Sequence, residues 1–162
     1  MQEVQFTLGL GLAALGAGLA MGVAAIGSGI GVGIAGAAGA GVIAEDTKKF
    51  GSVLILQAFP QTQGIYGFVT AVLILMGVGL LGGTPKPISM ELGLICLGAG
   101  LSSALGGITA IGQGITAGAG MGSVAKNPAS LGQNMVLAVM SETFAVFSLL
   151  IAILIMVGAG IM

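Results

Sequence analysis

The chain has 162 residues, of which 56% are hydrophobic and only 6% are charged. A water-soluble domain normally has about a quarter of its residues charged, so this composition indicates a protein that lies in lipid. The net charge of −1 and the absence of His give no basic surface for nucleic acid, and no nucleic-acid partner is predicted. A single cysteine, Cys96, excludes a disulfide within the chain and thiol metal sites of the CxxC type.

Four long apolar runs follow one another along the chain, at about 5–43, 51–80, 91–125 and 131–160. Each is longer than the roughly 20 residues that cross a hydrocarbon core as a helix, and none has the short alternating pattern of a membrane β-barrel. The predicted fold is therefore all-α, with four transmembrane helices in contact with lipid and short polar turns between them.

The two halves of the chain have related sequences. A shift of 81 residues superimposes Gly31, Gly33, Ala44, Gly51, Leu56, Thr62, Gly77 and Gly79 on Gly112, Gly114, Ala125, Gly132, Leu137, Thr143, Gly158 and Gly160. We therefore predict a tandem duplication, with a first transmembrane hairpin in residues 1–81 and a second in residues 82–162.

Lysine placement predicts the orientation in the membrane. Each hairpin crosses twice, so the loops 44–50 and 125–131 lie on the same side. Lys48, Lys49 and Lys126 are on that side and Lys86 is on the other. The positive-inside rule then predicts a multi-pass protein of the cell membrane with cytoplasmic hairpin loops and both termini outside.

Glycine separates two kinds of helix. The first and third runs contain twelve and ten glycines, whereas the second and fourth contain five and three. Small residues let helix backbones approach in lipid, so we expect a ring of many copies with the first and third helices inside. The same glycines form a GxGxxG pattern at 31–36. This lies within an apolar run rather than after a strand, so neither a dinucleotide site nor any organic cofactor is predicted.

Glu142 is the charged side chain that lies well inside an apolar run. An unpaired carboxylate at mid-membrane costs at least about 2.5–3.5 kcal/mol, and no Lys or Arg lies in any run to neutralise it. A bound proton or metal cation is the expected partner, and a protonated structural carboxyl is the alternative. The 81-residue shift places Gln61 opposite Glu142, so the first hairpin has no such carboxylate and one ion per chain is expected.

Two glutamines share the depth of Glu142. Gln63 lies 12 residues after Gly51, Gln113 lies 12 before Ala125, and Glu142 lies 11 after residue 131. At 1.5 Å per residue this level is roughly 17 Å from the helix ends, well inside the hydrocarbon. The two glutamines are therefore candidate ion ligands, and hydrogen bonds between helices are the alternative role for each.

The second helix adds further oxygen atoms at this level. Phe59, Thr62, Gln63 and Tyr66 follow the i, i+3, i+4, i+7 spacing of one helix face. Pro60 has no N–H, so it loosens nearby main-chain carbonyls. Carboxylate, amide, hydroxyl and carbonyl oxygens are the donors that a hard cation such as Na⁺ prefers. Tyr66 is either an ordinary core residue or a hydrogen-bond donor to the carboxylate.

Two segments carry a family resemblance, Leu56-Gln-Ala-Phe-Pro-Gln-Thr-Gln-Gly-Ile-Tyr-Gly-Phe68 and Ser141-Glu-Thr-Phe144. With the duplicated hairpin and the glycine-rich odd helices, the whole chain resembles the proteolipid K (or c) subunits of prokaryotic V-type, also called A-type, rotary ATPases. The resemblance implies a rotor ring turned by ATP hydrolysis elsewhere in the complex, and a protein that is not itself an enzyme. Its implied partners are a membrane stator subunit that supplies a cationic group and central-stalk subunits at the cytoplasmic loops.

The resemblance also implies a ligand set. The sodium-binding members of that family imply Na⁺ held by the Glu142 carboxylate, the Thr62 hydroxyl, the Gln63 and Gln113 side-chain oxygens and the Phe59 carbonyl. They also imply a hydrogen bond from Tyr66 to Glu142.

Three other interpretations remain open. H⁺ in place of Na⁺ needs only the carboxyl group. A small four-helix secondary antiporter that exports organic cations also uses one membrane carboxylate, but no Trp and a single Tyr leave little aromatic surface for such substrates. A passive pore or structural protein leaves the shared depth of the polar side chains unexplained.

Overall fold

The computed structural model describes residues 7–162 and contains four long helical spans. We number them spans 1 to 4: Leu8–Glu45, Thr47–Gly77, Met90–Lys126 and Pro128–Gly158. Each is long and apolar enough to cross a membrane, and there is no strand among the described residues. The expectation of an all-α fold with four transmembrane helices is confirmed, although the predicted start of the first run at residue 5 lies outside the described residues.

Only span 1 is one uninterrupted α-helix. Span 2 starts with a 3₁₀ turn (Thr47–Lys49) and continues as α2 (Phe50–Ala58), a second 3₁₀ turn (Phe59–Gln61) and α3 (Thr62–Gly77), with span 1 taken as α1. Span 3 comprises α4 (Met90–Gly107) and α5 (Ala110–Lys126). Span 4 comprises a 3₁₀ turn (Pro128–Ser130), α6 (Leu131–Val139) and α7 (Glu142–Gly158).

The turns within the two hairpins share one local structure. The Asp46 side chain accepts a hydrogen bond from the backbone N–H of Lys48 at 3.0 Å. Asn127, which follows Asp46 by 81 residues, accepts from the N–H of Ala129 at 3.2 Å. Short Asp and Asn side chains favour such turns because they bond to the backbone two residues further on. The loop conformation thus follows the sequence repeat.

Spans 1 and 3 pack against each other with their backbones in contact. Gly9, Gly16 and Gly31 of span 1 approach Gly93, Gly100 and Gly114 of span 3, respectively. A Cβ atom added at Gly16 would lie 2.8 Å from the carbonyl oxygen of Cys96, closer than real Cβ contacts. Glycine is therefore needed here for close packing in lipid, where small residues rather than hydrophobic burial drive helix association.

Two apolar clusters lie on either side of a polar layer. One contains Ala17, Ile74, Cys96 and Met156 and lies towards the chain termini. The other contains Val53, Leu56, Met121 and Val124 and lies towards the hairpin loops. Between them are the buried side chains of Gln63 and Gln113, at the depth of Glu142.

Candidate ion-binding site

Spans 2, 3 and 4 are each interrupted near the polar layer. At every interruption a hydroxyl group donates to the carbonyl three residues earlier. The pairs are Thr62 to Phe59 at 2.9 Å, Thr109 to Gly106 at 2.8 Å, and Ser141 to Ala138 at 3.3 Å. Pro60 explains the interruption in span 2, because it cannot donate to the helix ladder. Spans 3 and 4 have no proline at this level, and their interruptions were not predicted from the sequence.

A connected set of hydrogen bonds ends on the Glu142 carboxylate. The Gln63 Nε2 donates to Gln113 Oε1 at 2.5 Å, and Gln113 Nε2 donates to Glu142 Oε2 at 3.3 Å. On the other side, the Tyr66 hydroxyl donates to Glu142 Oε1 at 2.5 Å. Both carboxylate oxygens therefore accept a hydrogen bond, one from Tyr66 and one from Gln113, and Gln63 is linked to Glu142 through Gln113.

The remaining oxygen atoms of the predicted set lie beside this network. The Thr62 hydroxyl oxygen is 2.9 Å from the Phe59 carbonyl oxygen and 3.3 Å from Gln63 Oε1. Gln63 and Gln113 are completely buried, whereas Glu142, Tyr66 and Thr62 are partly buried. The structure thus brings the six residues singled out from the sequence to one region, with the Phe59 carbonyl reaching the network through Thr62.

Ser28 of span 1 is a polar residue of this layer that was not predicted from the sequence. Its Oγ accepts a hydrogen bond from the backbone N–H of Gly64 at 2.8 Å, and it is 7% exposed. Gly64 is in the first turn of α3, where helix N–H groups have no partner within the helix. In lipid such a group has to be satisfied by protein. One signal was available, because the repeat places Ser28 opposite Thr109, which marks the interruption in span 3.

The fold and the site together define an integral membrane protein made of two helical hairpins, with one hydrogen-bonded carboxylate at mid-membrane. The family model for the C subunit of ATP synthase matches the chain twice, over residues 15–74 and 97–155. The chain therefore belongs to the ATP synthase C-subunit family. Each match falls within one hairpin, and the family recognised from the sequence is confirmed.

Two relatives are similar over most of the chain. The A-type ATP synthase subunit K of Methanocaldococcus jannaschii is 52% identical over 147 residues, which cover 91% of this chain and 62% of that protein. The V-type sodium ATPase subunit K of Enterococcus hirae is 38% identical over 125 residues, or 76% of each chain. This chain therefore spans less than two thirds of the length of the first relative and about three quarters of the second.

Proposed function

We propose that this chain is a rotor subunit of an A/V-type rotary ATPase and that each copy carries one Na⁺ ion on Glu142. Many copies form a ring in the membrane, and ATP hydrolysis or synthesis takes place in other subunits, so the chain itself is not an enzyme. The observation that carries this proposal is the set of hydrogen bonds that ends on the mid-membrane carboxylate of Glu142. Membership of the ATP synthase C-subunit family favours a rotor over a small antiporter.

The charge of Glu142 supplies the mechanism. An ionised carboxylate that faces hydrocarbon costs several kcal/mol, whereas a carboxylate with a bound cation is neutral and can face lipid. A loaded copy can therefore rotate through the bilayer. An empty copy has to remain beside a cationic group, which a stator subunit supplies. Rotation and ion transfer are coupled because only the loaded form crosses the lipid-facing part of each turn.

The oxygen atoms around Glu142 favour Na⁺ over H⁺. A proton needs only the carboxyl group. Five oxygen donors from spans 2, 3 and 4 lie at one level here: the Phe59 carbonyl, the Thr62 hydroxyl, the two glutamine amides and Glu142. Oxygen donors are the ligands of hard cations. The name of the Enterococcus hirae relative, a sodium ATPase subunit, supports the same choice.

Sodium binding requires the glutamine amides to turn. The Gln113 oxygen now accepts from Gln63, and its nitrogen donates to Glu142. A cation between these groups takes the amide oxygens as ligands, so the two amide N–H bonds are exchanged for ion contacts. The Tyr66 hydroxyl donates to Glu142 and holds the carboxylate in the orientation that binds the ion.

Carbodiimide labelling tests the choice of ion, because the reagent attacks the protonated carboxyl. We expect labelling of Glu142 to fall as Na⁺ is added at constant pH, and to rise as the pH is lowered at constant Na⁺. The Glu142→Gln variant is the control that shows the labelled position. If pH alone sets the labelling rate and millimolar Na⁺ gives no protection, the transported ion is H⁺.

We also propose that the hairpin loops lie in the cytoplasm and contact the central stalk. The Lys49 Nζ donates to the Ala125 carbonyl at 2.5 Å and joins the two loops into one surface. A membrane-impermeant thiol reagent tests the orientation in intact cells of a Cys96→Ala background. We expect Thr84→Cys to be labelled and Thr47→Cys to be protected, and the opposite pattern means that the loops are outside.

A further inference from the structure

One face of span 2 joins the two hairpins within the chain. Gln63 and Thr70 on this face are completely buried, and Tyr66 between them reaches Glu142 of span 4. The helix α3 contacts both α4 and α7, so this face lies in the groove between spans 3 and 4. A helix face of the first hairpin thus fills a groove of the second.

The corresponding face of span 4 is exposed in the single chain. By the 81-residue repeat, Gln63, Tyr66 and Thr70 correspond to Phe144, Phe147 and Ile151. These three side chains are 64%, 56% and 49% exposed. In a membrane span such side chains face either lipid or a second protein surface, and the burial of the equivalent face of span 2 favours a protein surface.

The corresponding groove of the first hairpin is open. A cavity of about 470 Å³ lies between spans 1 and 2, lined by Met21, Ala25, Ser28, Gln61, Gly64, Ile65 and Phe68. A second cavity of about 370 Å³ shares Met21 and Phe68 with it and extends the groove along the same two spans. Gln61, the counterpart of Glu142, lies in this groove.

We propose that Phe144 and Phe147 of one copy pack in the groove between spans 1 and 2 of the next copy, beside its Gln61. The ring of the proposed function is assumed here, and the inference concerns which surfaces form it. Within one chain, a face of span 2 fills the groove between spans 3 and 4. Between copies, the equivalent face of span 4 fills the equivalent groove between spans 1 and 2, so the interface that joins the two hairpins is repeated. Its occupant is a second copy of this chain.

The geometry of the contact explains how a ring forms. A face of one copy meets a different surface, a groove, on the next copy. Such head-to-tail contacts generate rings when the rotation closes. Because the contact between copies repeats the contact within each chain, every hairpin in the ring packs against its two neighbours in the same way.

The boundary between copies is then an apolar counterpart of the ion site. The Tyr66 phenol becomes the Phe147 phenyl, the Gln63 amide becomes Phe144, and the Glu142 carboxylate becomes the neutral Gln61. The rings of Phe144 and Phe147 beside the amide of Gln61 provide no charge and no set of oxygen ligands for a cation. The ring therefore alternates between boundaries that bind an ion, within each chain, and boundaries that are closed by phenylalanine, between chains.

Cross-linking tests this pairing in the assembled ring. In a Cys96→Ala background, Gln61→Cys and Phe147→Cys are combined and treated with a bifunctional thiol reagent. The reagent is as long as the separation between the backbones of Tyr66 and Glu142, which occupy the equivalent positions within one chain. We expect a ladder of covalent multimers on a denaturing gel, ending at the mass of the closed ring. The Tyr66→Cys, Glu142→Cys pair is the matched control, and it should cross-link within single chains without raising their mass.

A second control separates this contact from random collision. Val139 is exposed, and its repeat counterpart Ala58 stays exposed despite the contact between hairpins. Val139→Cys combined with Gln61→Cys should therefore give no ladder. Efficient dimers from Phe147→Cys alone, or a ladder from the Val139 pair but not from the Phe147 pair, overturn the inference.

Native mass measurement of the unsubstituted chain and of the same variants separates this inference from the proposed function. If a ring is present and the Gln61, Phe147 pair does not cross-link, this inference fails and the proposed function stands. If the unsubstituted chain forms no ring, the proposed function fails and this inference fails with it. Neither result depends on which cation the ring carries.

Discussion

Replacement of Tyr66 by phenylalanine removes one hydroxyl group from the candidate ion site and keeps the aromatic ring. That hydroxyl donates to Glu142 Oε1 at 2.5 Å. Among the described residues, the other hydrogen bond to the carboxylate comes from Gln113 Nε2, at 3.3 Å. The Tyr66 bond is the shorter of the two, so its loss tests how far hydrogen bonding positions the carboxylate for an ion.

The size of the effect follows from the charge of the acceptor. A hydrogen bond to a charged group contributes about 1.5–3 kcal/mol, which corresponds to a roughly ten- to hundredfold change in affinity. In the proposed site the hydroxyl holds the carboxylate in the orientation that binds Na⁺. Tyr66→Phe should therefore weaken Na⁺ binding.

The assay is Na⁺ protection against carbodiimide labelling of Glu142 in the purified ring. We expect Tyr66→Phe to raise the Na⁺ concentration that gives half protection by roughly ten- to hundredfold. Thr70→Val is the matched control, because it removes a hydroxyl that bonds to the Tyr66 carbonyl and not to Glu142. An unchanged half-protecting concentration in Tyr66→Phe refutes the role of this bond in holding the carboxylate for Na⁺.

Three further substitutions test other parts of the structure. Gln113→Ala should weaken Na⁺ protection while the ring stays intact by native mass, because its amide lies in the network and not between copies. Ser28→Ala should lower the thermal stability of the ring, since a buried N–H of Gly64 without a partner costs about 1–3 kcal/mol, and Ser28→Thr should restore it. Gly16→Ala should destabilise the solubilised chain by a clash with span 3, whereas Gly11→Ala, where an added Cβ meets nothing within 4 Å, should not.

The membrane spans and the polar layer could be predicted from the sequence, because both depend only on the number of residues along each helix. Apolar length determines where helices cross, and a constant rise per residue places Gln63, Gln113 and Glu142 at one depth. The repeat then showed that Gln61 replaces the carboxylate in the first hairpin. None of this requires knowledge of which side chains touch.

The ends of the spans were less accessible. The second and fourth runs were expected to reach residues 80 and 160, but α3 ends at Gly77 and α7 at Gly158. Gly79 and Gly160 then take positive φ angles of 78° and 65°, and this left-handed backbone ends each helix. Hydropathy does not register such a change, because the residues beyond it remain apolar.

The interruptions in spans 3 and 4 and the Ser28 bond were not accessible from local sequence. Pro60 predicts an interruption because it lacks an N–H group, but Gly106 and Ser141 are compatible with a continuous helix. Whether a helix opens at such a residue depends on the contacts that replace its lost hydrogen bonds. For Gly64 that contact is a hydroxyl 36 residues away on another span.

Duplication of the hairpin gives the two halves different roles at one site. The first hairpin contributes Thr62, Gln63 and Tyr66, and the second contributes Gln113 and Glu142. In an unduplicated ring every boundary between hairpins would be identical, so a carboxylate at each would double the number of ions per turn. In the proposed ring, Gln61 of the first hairpin leaves half of the boundaries without a carboxylate. Each ion would then receive a larger share of the energy of one rotation, which suits transport against a steep gradient.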